Sequence, residues 1–348
     1  LSDTINETSG LINLNGELWT INDSGSPANL YHFSKQTGEI LQTIHIRNAT
    51  NIDWEDIATD GSYIYIGDFG NNNGNRNSMS VYKIAISRLS SKTNDTIMAD
   101  TIRFSYADQT DFSSRPNANR YDCEAMMVLN DTIHLFSKDW IDGHTKHYQL
   151  PVTPGMYSLL PADSMDAGCL ITGAAWEPVS RRIVLTGYQK TGSCFLWLLW
   201  DFKGSEVFRG NKRKIDLGFF TGAGQIEGVC FNDSSNVYVT NENNIVNNRL
   251  YGAQVGLWMN RKSAGVNYRK QDISALQMLP NPAGNTLHVK YNLQRPGVVL
   301  YCIYGMNGNL VNCTRIKENG GEVHQTLDIS ALHAGAYFLL VHSQHKEG

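Results

Sequence analysis

Short runs in which hydrophobic and polar residues alternate recur along the first three-quarters of the chain. Five segments share one order: a polar or acidic start, an aliphatic stretch, a turn rich in Asn, Asp and Gly, and an alternating β-branched and aromatic run that ends in a polar cluster. Alternation with period two, bounded by turn residues, predicts a strand hairpin. The five segments begin at Glu7, Asp53, Asp122, Ile171 and Gln225.

Further strand-like runs lie between these hairpins, so each repeat predicts about four antiparallel strands in roughly 50 residues, which is typical of a β-propeller blade. We therefore expect an all-β body over residues 1–262, built as a five-bladed β-propeller. A sixth, degenerate blade and an unrelated array of β-sandwiches stay open as alternatives. The polar stretch 108–120 predicts a loop inserted between the second and third repeats.

The pattern changes after this body, where a polar segment at 263–278 predicts a linker. From Leu279 onward, alternating strands separated by Pro, Gly and Asn turns predict a second domain over residues 279–348. Its length is typical of a small immunoglobulin-like β-sandwich. From the residues alone it is an accessory β-domain, and a sugar-binding module is the alternative.

Three motifs of this tail carry a family resemblance. They are Pro280-Asn281-Pro282 with a following Leu-x-Val strand, the hairpin Tyr304–Gly308, and Leu332-x-x-Gly335-x-Tyr337. In this order they resemble the type A sorting domain of the type IX secretion system of the Bacteroidetes. The resemblance implies the type IX secretion machinery as a partner, export across both membranes, and a final location in the medium or on the outer-membrane surface. The chain starts at Leu1 without a signal-peptide pattern, so we expect a mature or trimmed form. The family usually closes with a further strand and a basic end, so we also expect trimming of the last residues.

Composition excludes several classes of protein. The formal net charge of the 348 residues is -4, so no basic field indicates a nucleic-acid partner. The longest apolar run, Phe195 to Trp200, is far shorter than the roughly 20 residues that span a bilayer, so we expect no transmembrane segment. The chain has 6 cysteines and no C-x-x-C pair, which argues against a zinc or redox motif. Cys302 and Cys313 flank the turn Met306–Asn309 symmetrically, and a hairpin there predicts a cross-strand disulfide, with two reduced cysteines as the alternative.

Acidic residues concentrate at the two hairpin ends that meet at one mouth of a propeller channel. The first strand of a blade is innermost and the second runs antiparallel beside it, so the start of one and the end of the other share that mouth. The strand starts supply Glu7, Glu55, Asp56, Asp122, Glu124 and Glu227, and the strand ends supply Asp23, Asp68, Asp139 and Glu242.

So many carboxylates would repel one another unless a cation offsets their charge, and Ca²⁺ accepts oxygen ligands in flexible numbers. The predicted metal ligands are Asp23, Glu55, Asp68, Glu124, Glu227 and Glu242. Two alternatives stay open: the acidic groups accept hydrogen bonds from the next blade, or they form a catalytic pair.

The ligand at this mouth is not identifiable from the sequence. The candidates for binding it are Trp54, Glu55, Phe69, Glu124, Lys138, Trp140, Tyr188 and Glu227. We expect a surface or secreted protein that binds an extracellular ligand, with a Ca²⁺-dependent phosphoesterase or glycoside hydrolase as the alternative. The segments from Asp53 and Ile64 resemble those of esterase-like phytase-type propellers, which implies channel carboxylates that hold Ca²⁺. Few lysines and arginines fall near the mouth, which counts against phosphate as the substrate.

Overall fold

The computed structural model describes residues 1–244, 246–259, 273–305 and 310–344, with backbone only at the last position. The chain divides into two compact units, Leu1–Arg261 and Lys262–Gly348. Both units consist almost entirely of β-strands.

The first unit contains five sheets, each begun by one of the repeated hairpins. Their strands are β1 (Thr8–Leu14), β2 (Glu17–Asn22), β3 (Asn29–Phe33), β4 (Ile40–Ile46), β5 (Trp54–Thr59), β6 (Tyr63–Asp68), β7 (Met79–Ala85), β8 (Asn94–Ile97), β9 (Asp100–Tyr106), β10 (Asp122–Leu129), β11 (Thr132–Lys138), β12 (His144–Pro151), β13 (Gly155–Leu159), β14 (Asp163–Asp166), β15 (Leu170–Glu177), β16 (Arg182–Tyr188), β17 (Ser193–Trp200), β18 (Asn211–Phe219), β19 (Ile226–Phe231), β20 (Asn236–Asn241) and β21 (Leu250–Gln254). The helical segments are short: α1 (Phe220–Ala223) and 3-10 turns at Asp3–Ile5, Ile86–Arg88, Val207–Arg209 and Gly256–Trp258.

The sheet orders are β1-β2-β3-β4-β8, β13-β9-β7-β6-β5, β10-β11-β12-β14, β15-β16-β17-β18 and β19-β20-β21. The starting strands contact one another in a cycle: β1 against β5, β5 against β10, β10 against β15, β15 against β19, and β19 against β1. These strands are almost completely buried, and the burial includes the polar residues near their starts.

Apolar side chains fill the space between each pair of neighbouring sheets. Five separate clusters result, and each draws its residues from two adjacent sheets of the cycle. Trp54 is fully buried in the cluster between the first and second sheets, and Phe69 in the cluster between the second and third. The core of this unit is therefore distributed between sheets rather than gathered at one centre.

Two strands leave the sheet of their own repeat. Strand β8 follows β7 in sequence but pairs in parallel with β4 of the first sheet. Strand β13 follows β12 of the third sheet but pairs in parallel with β9 of the second. The sequence pattern did not predict these crossings, because β8 is short and mostly polar and β13 is only partly apolar.

The second unit has two three-stranded sheets, ordered β22-β23-β26 and β25-β24-β27. Its strands are β22 (Ile273–Leu279), β23 (Thr286–Leu293), β24 (Gly297–Gly305), β25 (Leu310–Glu318), β26 (Gly321–Asp328) and β27 (Tyr337–Gln344). Its core is formed by β23, β24 and β26, with Tyr291 and Tyr301 among its largest buried side chains. Residues 273–278, which the sequence assigns to the linker, instead form most of β22, because they pair with β23.

A disulfide joins Cys302 of β24 to Cys313 of β25, which lie directly opposite each other. The Met306–Asn309 turn that motivates this pairing in the sequence lies outside the described residues. The other four cysteines are free and buried, so they behave as small apolar core residues.

Candidate functional site

A bulge recurs near the start of the first strand in all five hairpins of the first unit. The pairing registers shift there, and the residues that fall in the shifts are Ser9, Glu55, Glu124, Thr172 and the pair Glu227–Gly228. The Ser, Glu and Thr side chains at these equivalent positions are all buried. A bulge bends its strand and redirects a side chain that would otherwise face the neighbouring sheet. The repeat therefore brings three glutamates, from three different sheets, toward one cavity.

The cavity has a volume of about 420 Å³ and a mostly polar wall. Its lining is Asp23, Glu55, Asn72, Asn73, Pro116, Asn117, Glu124, Lys138, Trp140, Tyr188, Gln225, Glu227 and Glu242. Eight of the sequence-predicted site residues are in this lining: Asp23, Glu55, Glu124, Lys138, Trp140, Tyr188, Glu227 and Glu242. Residues of all five repeats, or of the loops that follow their hairpins, thus meet at one opening.

Asp68 is not a free ligand, in contrast to the sequence prediction. One of its carboxylate oxygens accepts a bond from Arg76 Nη2 at 2.9 Å and another from the Asp53 amide at 3.2 Å. Its second oxygen lies 3.5 Å from the hydroxyl of Tyr82. The carboxylate holds the loop after β6 in place and does not line the cavity.

Trp54 and Phe69 are likewise not ligand-binding surfaces. Trp54 is fully buried, packs against Tyr82, and donates its indole N–H to the Thr50 carbonyl at 3.2 Å. Phe69 is fully buried among apolar residues of the second and third sheets. In contrast to the prediction, both side chains pack between neighbouring sheets and do not face the cavity.

Other acidic residues of the predicted mouth have structural partners. Asp122 accepts bonds from the Asn71 amide and from the Trp140 indole, both at 2.6 Å. Asp139 is bonded to Arg120 at 2.8 Å. Glu7 is exposed and contributes its carbonyl to the Asp23 amide.

Asp56 is buried at the centre of the cycle of inner strands. Its carboxylate accepts bonds from the amides of Ile57 at 2.8 Å, Met126 at 2.7 Å and Ala174 at 3.3 Å, so it ties β5 to β10 and β15. Farther along these strands lies a smaller space of about 80 Å³, lined largely by apolar residues of all five inner strands. The two linings share no residue, so the clustered carboxylates lie at only one of these two spaces.

Glu55 is the centre of the acidic site. It is 3% exposed, and its Oε1 is buried without a hydrogen-bond partner among the described residues. Carboxylate oxygens of Asp23, Asp53 and Glu55 lie within 4.8 Å of one another, as do those of Glu55, Asp122 and Glu124. Two carboxylate triads therefore share Glu55.

Asp53 and Gly70 lie beside Glu55 in the candidate site, although the sequence pattern did not predict them there. Asp53 stands one residue before β5, and the amides of Phe69 and Gly70 both donate to its carbonyl at 3.1 Å. A Cβ atom on Gly70 would lie 2.1 Å from Glu55 Oε1 and 2.5 Å from Asp53 Oδ2, so any larger residue there would require both carboxylates to move. The D-W-E-D start of the repeat was the available signal, but it did not reveal which of its acids face inward.

Burial raises the pKa of the carboxyl groups of this site. It raises the pKa of Asp53 to about 7, with a further contribution from the charge of Asp23. Burial, and then the neighbouring Glu124, raises the pKa of Glu55 well above its usual range. These shifts mean that the carboxylates are costly to ionise together, which a bound cation would reverse.

Glu227 and Glu242 form a second acidic pair on the cavity wall. Gln225 Nε2 donates to Glu227 Oε1 at 2.8 Å and to Glu242 Oε2 at 3.0 Å. Burial raises the pKa of Glu227 to about 7, and burial together with Glu227 raises the pKa of Glu242 to about 9. The side-chain amide of Gln225 thus bridges two carboxyl groups, and ionisation of either one disfavours ionisation of the other.

Lys138 supplies the one cationic side chain of the cavity lining. Its Nζ lies 2.6 Å from Glu124 Oε2, 4.8 Å from the ring centroid of Trp140 and 5.2 Å from that of Tyr188. Burial lowers the pKa of this ammonium, but the carboxylates around it, led by Glu124, outweigh that effect and keep its pKa well above the usual range. Lys138 is therefore a charged residue with a fixed partner.

Comparison with known proteins identifies the tail. Residues 277–347 match the family model described as "Secretion system C-terminal sorting domain". The match confirms the resemblance read from the tail motifs, and it indicates export to a secreted or cell-surface location. Among the described residues, no helix combines the length and apolar character that crossing a membrane requires. No curated protein matches the chain.

Solved structures resemble the chain only distantly. A putative 6-phosphogluconolactonase from Bacteroides uniformis is 12% identical, with 92% of this chain and 88% of that chain covered and a TM-score of 0.36. The Swd1 β-propeller domain of Myceliophteria thermophila is 9% identical, with 81% and 93% covered and a TM-score of 0.37. A chain of the mitotic checkpoint complex is 14% identical, with a TM-score of 0.35, and the match spans 71% of this chain and 64% of that one. With TM-scores below 0.5, these likenesses carry no argument about activity.

Proposed function

We propose that this exported protein is a five-bladed β-propeller that binds an extracellular ligand at its acidic cavity, with a Ca²⁺ ion held by Asp23, Asp53 and Glu55. The cyclic contacts of the five starting strands and the five inter-sheet clusters support the blade number. The unpartnered, buried Oε1 of Glu55 beside two aspartates carries the cation proposal.

The donor set favours a hard divalent cation. All three side chains offer carboxylate oxygens, which Ca²⁺ prefers, and the three side chains include no imidazole or thiolate that would select zinc or copper. Within the described part of the chain, none of the three forms an ion pair with a lysine or arginine. The neutral amides of Asn72 and Asn73 line the same cavity and offer further oxygens.

The charge of the cavity favours a neutral or cationic ligand. Asp23, Glu55, Glu124, Glu227 and Glu242 line it, and the single lining ammonium is already paired with Glu124. Burial raises the pKa of several of these acids, so protons as well as Ca²⁺ offset part of their charge. Among the described residues, however, the lining offers no unpaired lysine or arginine that could bind a phosphate ester, which distinguishes this cavity from a phosphate site.

Calcium titration of the chelator-treated full chain tests the proposal. We expect saturable heat and a higher melting temperature in the wild type, both lost in Glu55→Gln and retained in Glu17→Gln, whose side chain is 61% exposed. A wild type that gives no heat and no shift in melting temperature would remove the cation from the proposal.

Hydrolysis is the second candidate, supported by one observation. Carboxylate oxygens of Glu55 and Glu124 lie within 4.8 Å of each other, close to the roughly 5 Å separation of the two acids in retaining glycoside hydrolases. A panel of glycoside and phosphate-ester substrates separates the candidates. Turnover by the wild type that is lost in a folded Glu55→Gln variant favours the enzyme, and silence across the panel favours binding alone.

A further inference from the structure

The second carboxylate triad, Glu55, Asp122 and Glu124, differs from the first in two respects. All three of its side chains are buried, and it already contains a cation, because Lys138 Nζ lies 2.6 Å from Glu124 Oε2. The Lys138 side chain is 5% exposed, and among the described residues its only ion pair is with Glu124. The first triad contains no such internal cation among the described residues.

Lys138 satisfies only part of this second triad. Glu124 is 3% exposed, and its Oε1 has no hydrogen-bond partner among the described residues, like Oε1 of Glu55. Two buried carboxylate oxygens of this triad thus remain without a donor. Each oxygen of Asp122 already accepts one bond, from Asn71 or Trp140, which leaves each a further lone pair for a cation. The Lys138 ammonium has three N–H donors but only one positive charge. It therefore offsets the charge of three carboxylates less completely than a divalent ion would.

We propose that the ammonium of Lys138 occupies the second of two adjacent cation positions, limits the cavity to one divalent ion, and yields a second metal site at Glu55, Asp122 and Glu124 when it is removed. This inference rests on the proposed function for the first position. Lys138 is then a residue that determines the metal stoichiometry of the site.

The physical reason is charge repulsion at short range. The two triads share Glu55, so an ion at each lies only a few ångströms from the other, as in two-metal sites where a carboxylate bridges ions about 4 Å apart. The ammonium at one position and Ca²⁺ at the other together carry three positive charges, which face the surrounding carboxylates. With Lys138 intact, a second Ca²⁺ would have to displace its buried ammonium, which has no ion-pair partner besides Glu124 in the part of the chain that the structure describes.

The test counts bound ions. The full chain is stripped with a chelator, and CaCl₂ is titrated at neutral pH into the wild type, Lys138→Met and Lys190→Met, with circular dichroism as the check of folding. Lys190 is the matched control, because its Nζ lies 5.4 Å from the same Trp140 ring but bonds to the Trp140 carbonyl rather than to an acid. We expect one ion in the wild type and in Lys190→Met, and two in Lys138→Met.

A further variant locates the added ion. Lys138→Met combined with Glu124→Gln should return to one ion, because the second triad loses a carboxylate. A folded Lys138→Met that binds no more ions than the wild type overturns the inference. So does a Lys138→Met protein that fails to fold even in excess Ca²⁺, since the second ion should replace the missing charge. If the wild type binds no ion at all, the proposed function fails, and a gain of one ion in Lys138→Met still supports the role of Lys138.

Discussion

The backbone of Gly70 lies against the carboxylate of Glu55, and a Cβ atom at Gly70 would approach Glu55 Oε1 to 2.1 Å. Gly70→Ala should therefore push the Glu55 carboxylate out of its place and abolish Ca²⁺ binding. The measurement is calcium titration calorimetry, with a loss of at least about tenfold in affinity expected from a displaced ligand. Gly252→Ala is the control, because nothing lies within 4 Å of a Cβ at that position. Equal affinities for the two variants would contradict the proposed position of the ion.

Asp53 and Asp68 should respond in opposite directions when each is replaced by asparagine. Burial in the folded state raises the pKa of Asp53 to about 7. Ionisation of Asp53 therefore disfavours the folded state increasingly as pH rises from about 4 to 7. Asp53→Asn should stabilise the ion-free protein by about 1–3 kcal/mol at neutral pH, and weaken Ca²⁺ binding. Urea unfolding and calcium titration of the same preparation give both quantities.

Burial also raises the pKa of Asp68, but Asp68→Asn leaves the partly buried Arg76 without its charged partner. Because loss of one partner of a buried ion pair outweighs the relief of burying the other, we expect this variant to be destabilised by about 1–3 kcal/mol. Its Ca²⁺ affinity should change much less than that of Asp53→Asn, since Asp68 does not line the cavity. Loss of ion binding in Asp68→Asn with binding intact in Asp53→Asn would restore the original sequence-based ligand set.

A buried histidine pair predicts a stability loss in acid. His134 Nδ1 lies 2.7 Å from His147 Nε2, and His147 Nδ1 lies 2.7 Å from Asp163. Burial, and then the neighbouring His147, lowers the pKa of His134 from 6.5 to about 4. The unfolded chain therefore takes up this proton first, and about 3 kcal/mol of stability should be lost as pH falls from 6.5 to about 4.

Unfolding free energies measured across this pH range should fall less steeply for His134→Gln than for the wild type. The exposed His45 offers the control, and His45→Gln should keep the wild-type slope. An identical slope in all three proteins would assign the acid sensitivity to other groups.

The Cys302–Cys313 disulfide closes a short loop, with a sequence separation of 11. Replacing both cysteines by serine should reduce the stability of the second unit by about 2–3 kcal/mol, chiefly through the unfolded chain. Hydrogen exchange should accelerate in β24 and β25. Wild-type protein held in reductant should reproduce the exchange pattern of the double variant, and an unchanged pattern in both would contradict a structural role.

Much of this architecture could be predicted because period-two alternation and turn residues are local signals. Glu55, Glu124 and Glu227 occupy the same place in three repeats, so a shared mouth followed from the repeat alone. Lys138 and Trp140 could be predicted in the same way, as residues at the end of the second strand of a hairpin.

The errors at Trp54 and Asp68 have one physical source. Trp54 pairs with Asp68, and the register shifts immediately afterwards, between Trp54 and Asp56. A bulge changes which face a neighbouring side chain occupies, and no simple alternation reveals where it falls. Asp53 and Gly70 escaped prediction for a related reason: their roles arise from the close approach of two loops, not from the pattern of either strand.

The outward paths of β8 and β13 have a consequence for how the chain can be rearranged. Each of these strands completes the sheet of the preceding repeat, so neither of the first two sheets corresponds to one uninterrupted stretch of sequence. Deleting the second or third repeat would remove the edge strand of the sheet that belongs to the preceding repeat. The first three repeats therefore form one interlocked structural block, whereas the sheets of the fourth and fifth repeats each come from one continuous segment of the chain.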